Sequence, residues 1–543
     1  MMAGSGSLYV TMQPQPGLPL EKFHEWYNNE HGPTRLKLPQ IFTNGLRYRA
    51  TDGQEPTFLA AYDVTSMPLL ETETYTRLRA ERSPREAEII GQVEVQRYFW
   101  DHVLSKQSPL FIPIEELTDE EAEGLMLVAV QLTPKEPDSA VDEIQKWYAE
   151  EHMDMLSKVP GWLRSRLFKT SSLEKGEPTK FIALHDYTKV NGVGGAEYQA
   201  AISTPRTKEL WEKYATMSSR RIYSLFYVFG PASRDLQNLS LLPDEKSAFT
   251  SPDGKISTTN SPWPIIQSSI TTLDGLSIPY RLEGNPDPKA PTVAFCNSLL
   301  TSLHMWDRFT KIFRAQRPGY RILRYDFRGR HPIPHPPQPA TLDILADDLS
   351  TLLAALRISK LHTLIGVSMG GATALNFALR HPAKLERFIA CDFNAASSPA
   401  NTDAWKERIA TAETPRLEDG SAGIARLAEQ TVERWFHPAT MSRKPEAVTW
   451  IRDMVAENDV EGFRYGCQAL WDYDLKPRMK ECAVPGLFVV GEGDAKGAMV
   501  KAMEGFRGLL GEKGAELAVV PETGHLPMCE DPEGFWRVVY DKF

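Results

Sequence analysis

The residues best placed to do chemistry close an apolar run, Leu364-Ile365-Gly366-Val367-Ser368-Met369-Gly370-Gly371. Gly-x-Ser-x-Gly lets a strand turn sharply into a helix and pushes one serine hydroxyl out of the backbone, so the positions two either side must be almost without side chains. A free serine hydroxyl is a poor nucleophile; it needs a base within hydrogen-bond reach and an acid to orient that base. Both types follow. Asp494 ends Leu487-Phe488-Val489-Val490-Gly491-Glu492-Gly493-Asp494, and His525 stands in Val520-Pro521-Glu522-Thr523-Gly524-His525-Leu526-Pro527. The aspartate would fix the imidazole tautomer and the imidazole would take the serine proton. Asp392, in Ala390-Cys391-Asp392-Phe393, also ends a predicted strand and is the alternative acid. Glu492 reads as solvated. Two backbone N–H groups should hold the oxyanion: Met369, directly after the serine, and by position Leu299, in Phe295-Cys296-Asn297-Ser298-Leu299-Leu300.

These residues need a frame. Strand candidates are Thr292–Phe295, Arg321–Tyr325, His362–Val367, Phe388–Cys391, Gly486–Gly491 and Glu516–Val520. Between them Leu342, Leu345, Leu349, Leu352, Leu353 and Leu356 recur at helical spacing. Such alternation predicts a mostly parallel sheet with helices on both faces over 265–543. The stretch 395–475 interrupts it, carries Trp405, Trp435, Phe436, Trp450, Phe463, Tyr465 and Trp471, and reads as a helical lid. Serine, then aspartate, then histidine is the order of α/β-hydrolases, and is unlike the chymotrypsin and subtilisin orders.

At residue level the region resembles the 3-oxoadipate enol-lactonases. The match rests on Asn297-Ser298-Leu299, Leu303-His304-Met305-Trp306-Asp307, Leu323-Arg324-Tyr325-Asp326-Phe327-Arg328-Gly329 and the serine motif. In the lid, Glu433-Arg434-Trp435-Phe436 and Gly466-Cys467-Gln468-Ala469-Leu470-Trp471-Asp472 add to it. The resemblance implies hydrolysis of a small carboxylate-bearing enol-lactone with no metal or organic cofactor. It makes Ser298, Trp435 and Trp471 candidate substrate contacts and Arg434 a candidate carboxylate clamp, the other reading being lid core for the aromatics and a lid-surface charge for Arg434. Two departures flank the pocket mouth: Arg330-His331-Pro332-Ile333-Pro334-His335-Pro336-Pro337 replaces the usual continuation after Arg-Gly, and Leu300 stands where that family has glycine. A broader carboxylesterase or thioesterase, acting on an aromatic or polyketide acyl group, is the first alternative. A ligand-binding scaffold with an idle hydrolase half is the second.

The N-terminal part repeats. Trp26-Tyr27-Asn28-Asn29-Glu30-His31 matches Trp147-Tyr148-Ala149-Glu150-Glu151-His152 at an offset of 121, which Pro39 and Pro160 keep. Each copy, 1–104 and 124–232, reads strand, helix, strand, strand, helix, strand. Strands are expected near Leu8–Met12, Gly45–Ala50, Thr57–Val64 and Val93–Asp101, then Leu125–Thr133, Trp162–Thr170, Lys180–Tyr187 and Ile222–Phe229. This half resembles the ferredoxin-like dimeric α+β-barrel family that includes EthD-type proteins. That resemblance implies an α+β barrel built as an internal pseudo-dimer. His31, His152 and the pair His185-Asp186 are its candidate polar residues, and the alternative is a barrel that only holds the molecule together.

Size and charge bound the rest. A chain of 543 residues exceeds one core, and a formal net charge of −10 without a long Lys/Arg run excludes nucleic acid as the main partner. No stretch suggests a membrane span, and the start lacks a secretory signal pattern. Five cysteines, none in Cys-x-x-Cys, fit reduced thiols and a cytoplasmic protein. The segment 233–264, rich in Ser, Thr, Asp, Pro and Asn, reads as an exposed linker. No spacing suggests a metal site, and oligomeric state is not legible.

Overall fold

A computed structural model describes residues 4–333, 335–415 and 423–543. It divides into two compact units, Met1–Ser233 and Arg234–Phe543. Among the described residues no helix is long and apolar enough to cross a membrane.

The first unit is a closed eight-stranded antiparallel barrel. Its strands are β1 (Gly6–Pro14), β2 (Leu46–Ala50), β3 (Phe58–Val64), β4 (Val93–Gln107), β5 (Met126–Pro134), β6 (Trp162–Thr170), β7 (Phe181–Tyr187) and β8 (Ala215–Val228), in the order β1-β3-β2-β8-β5-β7-β6-β4. β4 and β8 run well past the lengths read from sequence. β4 pairs β1 through Val93–Asp101 and β6 through Trp100–Gln107; β8 pairs β5 from Ala215 and β2 up to Val228. The added residues are mostly polar (His102, Ser105, Lys106 and Thr216, Ser218, Ser219), so hydrophobic alternation did not mark them; in β4 they pair with β6 and so join the two repeats, while in β8 they pair with β5 of the same repeat.

Period-two alternation sorts the side chains. Tyr9, Leu59, Trp100, Leu127, Phe168, Leu184 and Leu225 share one buried cluster contributed by strands of both repeats. Leu8, Val10 and Met12 turn the other way and pack on Phe23, Trp26 and Tyr27. The repeated motif lies where the helices Leu20–Trp26 and Pro137–Trp147 widen into π turns, Tyr27–His31 and Tyr148–His152. His152 stacks on Trp147 (4.0 Å, 18°) with Nδ1 3.2 Å from the Ala201 carbonyl, and His185 Nδ1 lies 2.8 Å from Ser165 Oγ. Burial pushes both imidazoles down to about 3.

The second unit carries a ten-stranded sheet: β9 (Phe249–Thr250), β10 (Ser257–Thr259), β11 (Ile265–Thr271), β12 (Ser277–Gly284), β13 (Thr292–Cys296), β14 (Arg321–Tyr325), β15 (Leu361–Val367), β16 (Leu385–Cys391), β17 (Gly486–Gly491) and β18 (Glu516–Val520). The order is β18-β17-β16-β15-β13-β14-β12-β11-β10-β9, with parallel pairing from β14 to β18 and antiparallel pairing beyond. The expected linker 233–264 is therefore corrected: from residue 234 it belongs to this unit. It buries Leu236, Leu239 and Leu242 and supplies β9 and β10 to the sheet edge. Its polar composition reflects edge strands and turns, which expose one face. Among the described residues, five helices between Pro399 and Cys467 lie between β16 and β17; residues 416–422 of that segment lie outside the described residues.

One buried ion cluster ties the antiparallel strands to the parallel ones. Glu283 on β12, fully buried, takes Arg324 Nη2 at 2.5 Å and Arg314 Nη1 at 2.8 Å, with Arg281 Nη2 at 3.2 Å. Burial alone would raise its carboxyl; the guanidiniums of Arg324, Arg281 and Arg314 outweigh that and hold it below the ordinary range. A lowered folded-state value adds stability that is present above the unfolded carboxyl pKa and lost as pH falls through the folded value. Glu283→Gln should cost about 3–5 kcal/mol in urea unfolding at pH 7. The gap between wild type and variant should narrow below about pH 4.

Candidate active site

Parallel pairing brings the carboxyl ends of β13, β15, β16, β17 and β18 to one rim. β13 is flanked by β14 on one side and β15 on the other, so the chain reverses its winding there and leaves a crevice. Asn297–Leu299 follow β13, Ser368 follows β15, Asp392 follows β16, Asp494 follows β17 and His525 lies just beyond β18.

Ser368 sits at φ 59°, ψ −119°, a conformation that side chains rarely adopt. Its N–H donates to the Cys391 carbonyl at 2.9 Å, tying the turn to β16. A Cβ at Gly366 would meet the Gly370 carbonyl oxygen at 2.0 Å, and one at Gly370 would meet the Cys296 oxygen at 2.3 Å. Both contacts are with backbone, so neither can relax cheaply. Such strain costs about 1–3 kcal/mol and leaves the hydroxyl at the start of helix Met369–Arg380. Met369 is the first helical residue, and its N–H has no acceptor within the helix.

His525 Nδ1 lies 2.9 Å from Asp494 Oδ2. The His525 N–H donates to the Trp435 carbonyl at 2.7 Å, and the two rings lie 5.3 Å apart. Glu530, which the sequence analysis passed over, fixes this loop. Its carboxylate accepts from Gly524 N–H (2.7 Å), His437 N–H (2.9 Å) and the Thr440 hydroxyl (2.7 Å), so one buried acid holds the histidine loop and the lid together. Burial raises its pKa.

Asp392 lies beside Asp494. Its Oδ1 accepts Gly491 N–H at 2.8 Å, while Oδ2 is buried without a hydrogen-bond partner. Burial, followed by the Asp494 charge, pushes the Asp392 carboxyl well above its ordinary value.

Ser368, Asp392, Asp494 and His525 line one cavity of about 260 Å³. Met369, Arg434 and Trp435 are on its wall. Ser298, Leu299 and Trp471 are not. The turn after β13 folds on itself, with the Ser298 carbonyl taking the Thr301 N–H and hydroxyl, and Ser298 Oγ is buried. Trp471 follows the turn Gln468–Leu470 in extended backbone, and its neighbours Leu470 and Tyr473 occupy the wall instead. In the divergent segment, His331 Nε2 pairs with Asp326 Oδ2 at 2.9 Å and His335 Nε2 with Glu461 Oε1 at 2.5 Å.

A second cation, Arg408, faces the cavity with Arg434. Arg408 stacks over Trp405, its neighbour three residues back, at 4.4 Å. The pairing of Trp405 and Arg408 at helical spacing was the sequence signal for it. Among the described residues neither guanidinium has a carboxylate ion-pair partner; Arg434 Nη2 reaches only Thr431 Oγ1 at 3.4 Å. Burial, then repulsion from Arg408, pushes Arg434 down to about 10. Both stay charged at neutral pH, so this wall is built for an anion.

Asp392→Asn keeps the side-chain shape beside Asp494 and the oxygen that accepts Gly491 N–H. Turnover of that variant should stay within about tenfold of wild type, whereas Asp494→Asn should fall by about 10⁴. Steady-state kinetics on one lactone substrate measure both.

Residues 291–532 match the family model for the alpha/beta hydrolase fold. A 3-oxoadipate enol-lactonase of Acinetobacter baylyi is 28% identical over 268 residues, 49% of this chain and 93% of the relative. A second from the same organism is 28% identical over 225 residues, covering 41% and 79%. The crystal structure of the enol-lactonase from Burkholderia xenovorans aligns at 30% identity and TM-score 0.43, covering 49% of this chain and 96% of that one. With the family model and the two Acinetobacter relatives, the C-terminal half of the chain is an α/β hydrolase that resembles the 3-oxoadipate enol-lactonases.

Proposed function

We propose that the C-terminal half opens a small carboxylate-bearing enol-lactone, or a close lactone or ester relative, by a Ser-His-Asp acyl-enzyme route. The general chemistry is carboxylic-ester hydrolysis, the class to which its lactonase relatives belong. The observation that carries the finer reading is one cavity wall bearing Ser368, His525 and Asp494 with two carboxylate-free guanidiniums, Arg408 and Arg434. Ser368 Oγ attacks the lactone carbonyl while His525 Nε2 takes its proton, and Asp494 holds the imidazole through Nδ1. The oxyanion is assigned to the N–H of Met369, which is on the cavity wall, a donor worth about 2.7–4 kcal/mol in the transition state. The ring oxygen leaves as an enolate, takes the proton back from His525 and tautomerises to the ketone. Water, activated by the same imidazole, then adds to the acyl carbon and releases the open-chain acid and the serine. Arg408 and Arg434 hold the remote carboxylate.

Hydrolysis of larger aryl or polyketide esters is the second reading. It draws on the absence of Trp471 from the wall, which leaves the cavity bounded there by Leu470 and Tyr473. For the barrel, the strand orders β4-β1-β3-β2 and β8-β5-β7-β6 support two ferredoxin-like repeats of the EthD-related type fused as a pseudo-dimer. Five buried, unpaired cysteines support a cytoplasmic setting.

A panel of lactones and aryl esters tests these readings. Ser368→Ala should drop turnover by about 10⁴–10⁶ with the fold intact. Arg408→Met and Arg434→Met should each raise KM for carboxylate-bearing lactones by about tenfold or more while leaving neutral aryl esters within about threefold. Equal losses on both substrate classes, or faster turnover of bulky neutral esters by the wild type, would favour the second reading.

A further inference from the structure

The barrel has a charge problem that its fold does not need. In the first repeat a small cavity of about 20 Å³ lies between the outer face of the sheet and the helices that cover it. Leu8, Val10, Met12 and Trp26 make it apolar, yet Arg35 and Arg97 also line it. Arg35 Nη1 donates to the His31 carbonyl at 2.8 Å. Among the described residues Arg97 makes no hydrogen bond or ion pair. Half-buried, it is held below the ordinary guanidinium range by desolvation and by repulsion from Arg79, Arg35 and Arg82. The one acid of this cluster, Glu86, is shared between His31 Nδ1 at 2.9 Å and Arg82 at 3.9 Å. Burial pushes His31 down to about 4, so at neutral pH it adds no positive charge, and Glu86 is left to Arg82 and Arg35.

The second repeat is an internal control. At the offset of 121, which also aligns Ser83-Pro84-Arg85 with Thr204-Pro205-Arg206, Arg35 becomes Leu156, Arg79 becomes Ala200, Arg82 becomes Ser203 and Glu86 becomes Thr207. Shared structure is kept: Ser83 Oγ donates to Glu30 and Thr204 Oγ1 to Glu151, both at 2.5 Å. By strand pairing, Arg97 opposite Val10 corresponds to Arg220 opposite Val130, and Arg220 Nη2 is satisfied by the Tyr198 hydroxyl at 3.1 Å. The same scaffold therefore folds without Arg35, Arg79, Arg82 and Glu86, so the barrel does not need them. Charged side chains set into an otherwise apolar cavity wall mark binding sites.

We infer that the first repeat of the barrel is a binding site for a small monocarboxylate, its carboxylate held between Arg35 and Arg97 and its carbon end against Leu8, Val10 and Met12. The cavity has room for one small group, and guanidiniums pair with carboxylates through two parallel hydrogen bonds. An inorganic dianion would leave oxygens facing the apolar wall without donors. This site is independent of the hydrolase reading, since none of its residues belongs to that unit.

Isothermal titration of the full-length protein with acetate tests it, with inorganic phosphate as the competing anion. Wild type should bind acetate and not phosphate. Arg35→Leu, which installs the residue of the second repeat, and Arg97→Gln should each weaken acetate binding by about tenfold or more, with unchanged circular dichroism and unchanged ester hydrolysis. The double variant Arg408→Met/Arg434→Met should bind acetate as wild type does. No acetate binding by wild type, a preference for phosphate, unaltered binding by both barrel variants, or loss confined to the Arg408/Arg434 variant would each overturn the inference. If Arg35→Leu misfolds, Arg97→Gln alone decides.

Discussion

The close approach of backbone to backbone at the rim of the parallel sheet is the constraint on which the reactive half depends. Gly366 lies against the Gly370 carbonyl, Gly370 against Cys296, and Gly491 against Gly524, each too close for a Cβ. These contacts let three loops share one rim, so that a serine after β15, a carboxylate after β17 and an imidazole after β18 face one cavity. The strain at Ser368 is held by the bonds around it: its N–H to Cys391 and the helix that starts at Met369. The helix and strand beneath contribute the burial, and the turn spends part of it.

Charges in this protein fall into two kinds. Glu283 is surrounded by Arg281, Arg314 and Arg324 and is satisfied within the fold. In the barrel, Arg166 is likewise matched by Asp63 and Asp186. Arg408 and Arg434 face the hydrolase cavity, and Arg97 the barrel cavity, without any such partner. Exposure divides them as well: Arg166 and Arg324 are buried, whereas Arg97 and Arg408 are half-buried and Arg434 is exposed. Of these, the guanidiniums taken fully out of water are the ones that a carboxylate meets.

The repeats show how one local pattern serves two ends. Trp26-Tyr27 and Trp147-Tyr148 are buried at equivalent places, each beside a π turn, and both pack the helix on the sheet. The histidines that follow diverge. His152 stacks on Trp147 and is silent, whereas His31 is bound to Glu86 at the edge of the arginine cluster. The motif thus marks the scaffold, and the residues that differ around it mark the chemistry.

Ser368, His525 and Asp494 were legible in the residue string because their signals are local: a glycine-flanked turn and two strand ends, in an order that only one chain winding uses. The repeat, the lid and most strands were legible for the same reason, since periodicity is written in neighbours. The place of Arg408 on the cavity wall, the lid bonds of Glu530 and the approach of Asp392 to Asp494 were not, because each depends on segments that only folding brings near. The polar ends of β4 and β8, the incorporation of 234–264 into a sheet edge, and the absence of Trp471, Ser298 and Leu299 from the cavity wall belong to the same class. Local sequence specifies which conformations and chemistries a segment can support; which side chains meet, and which charges go unanswered, is set by the packing of distant segments.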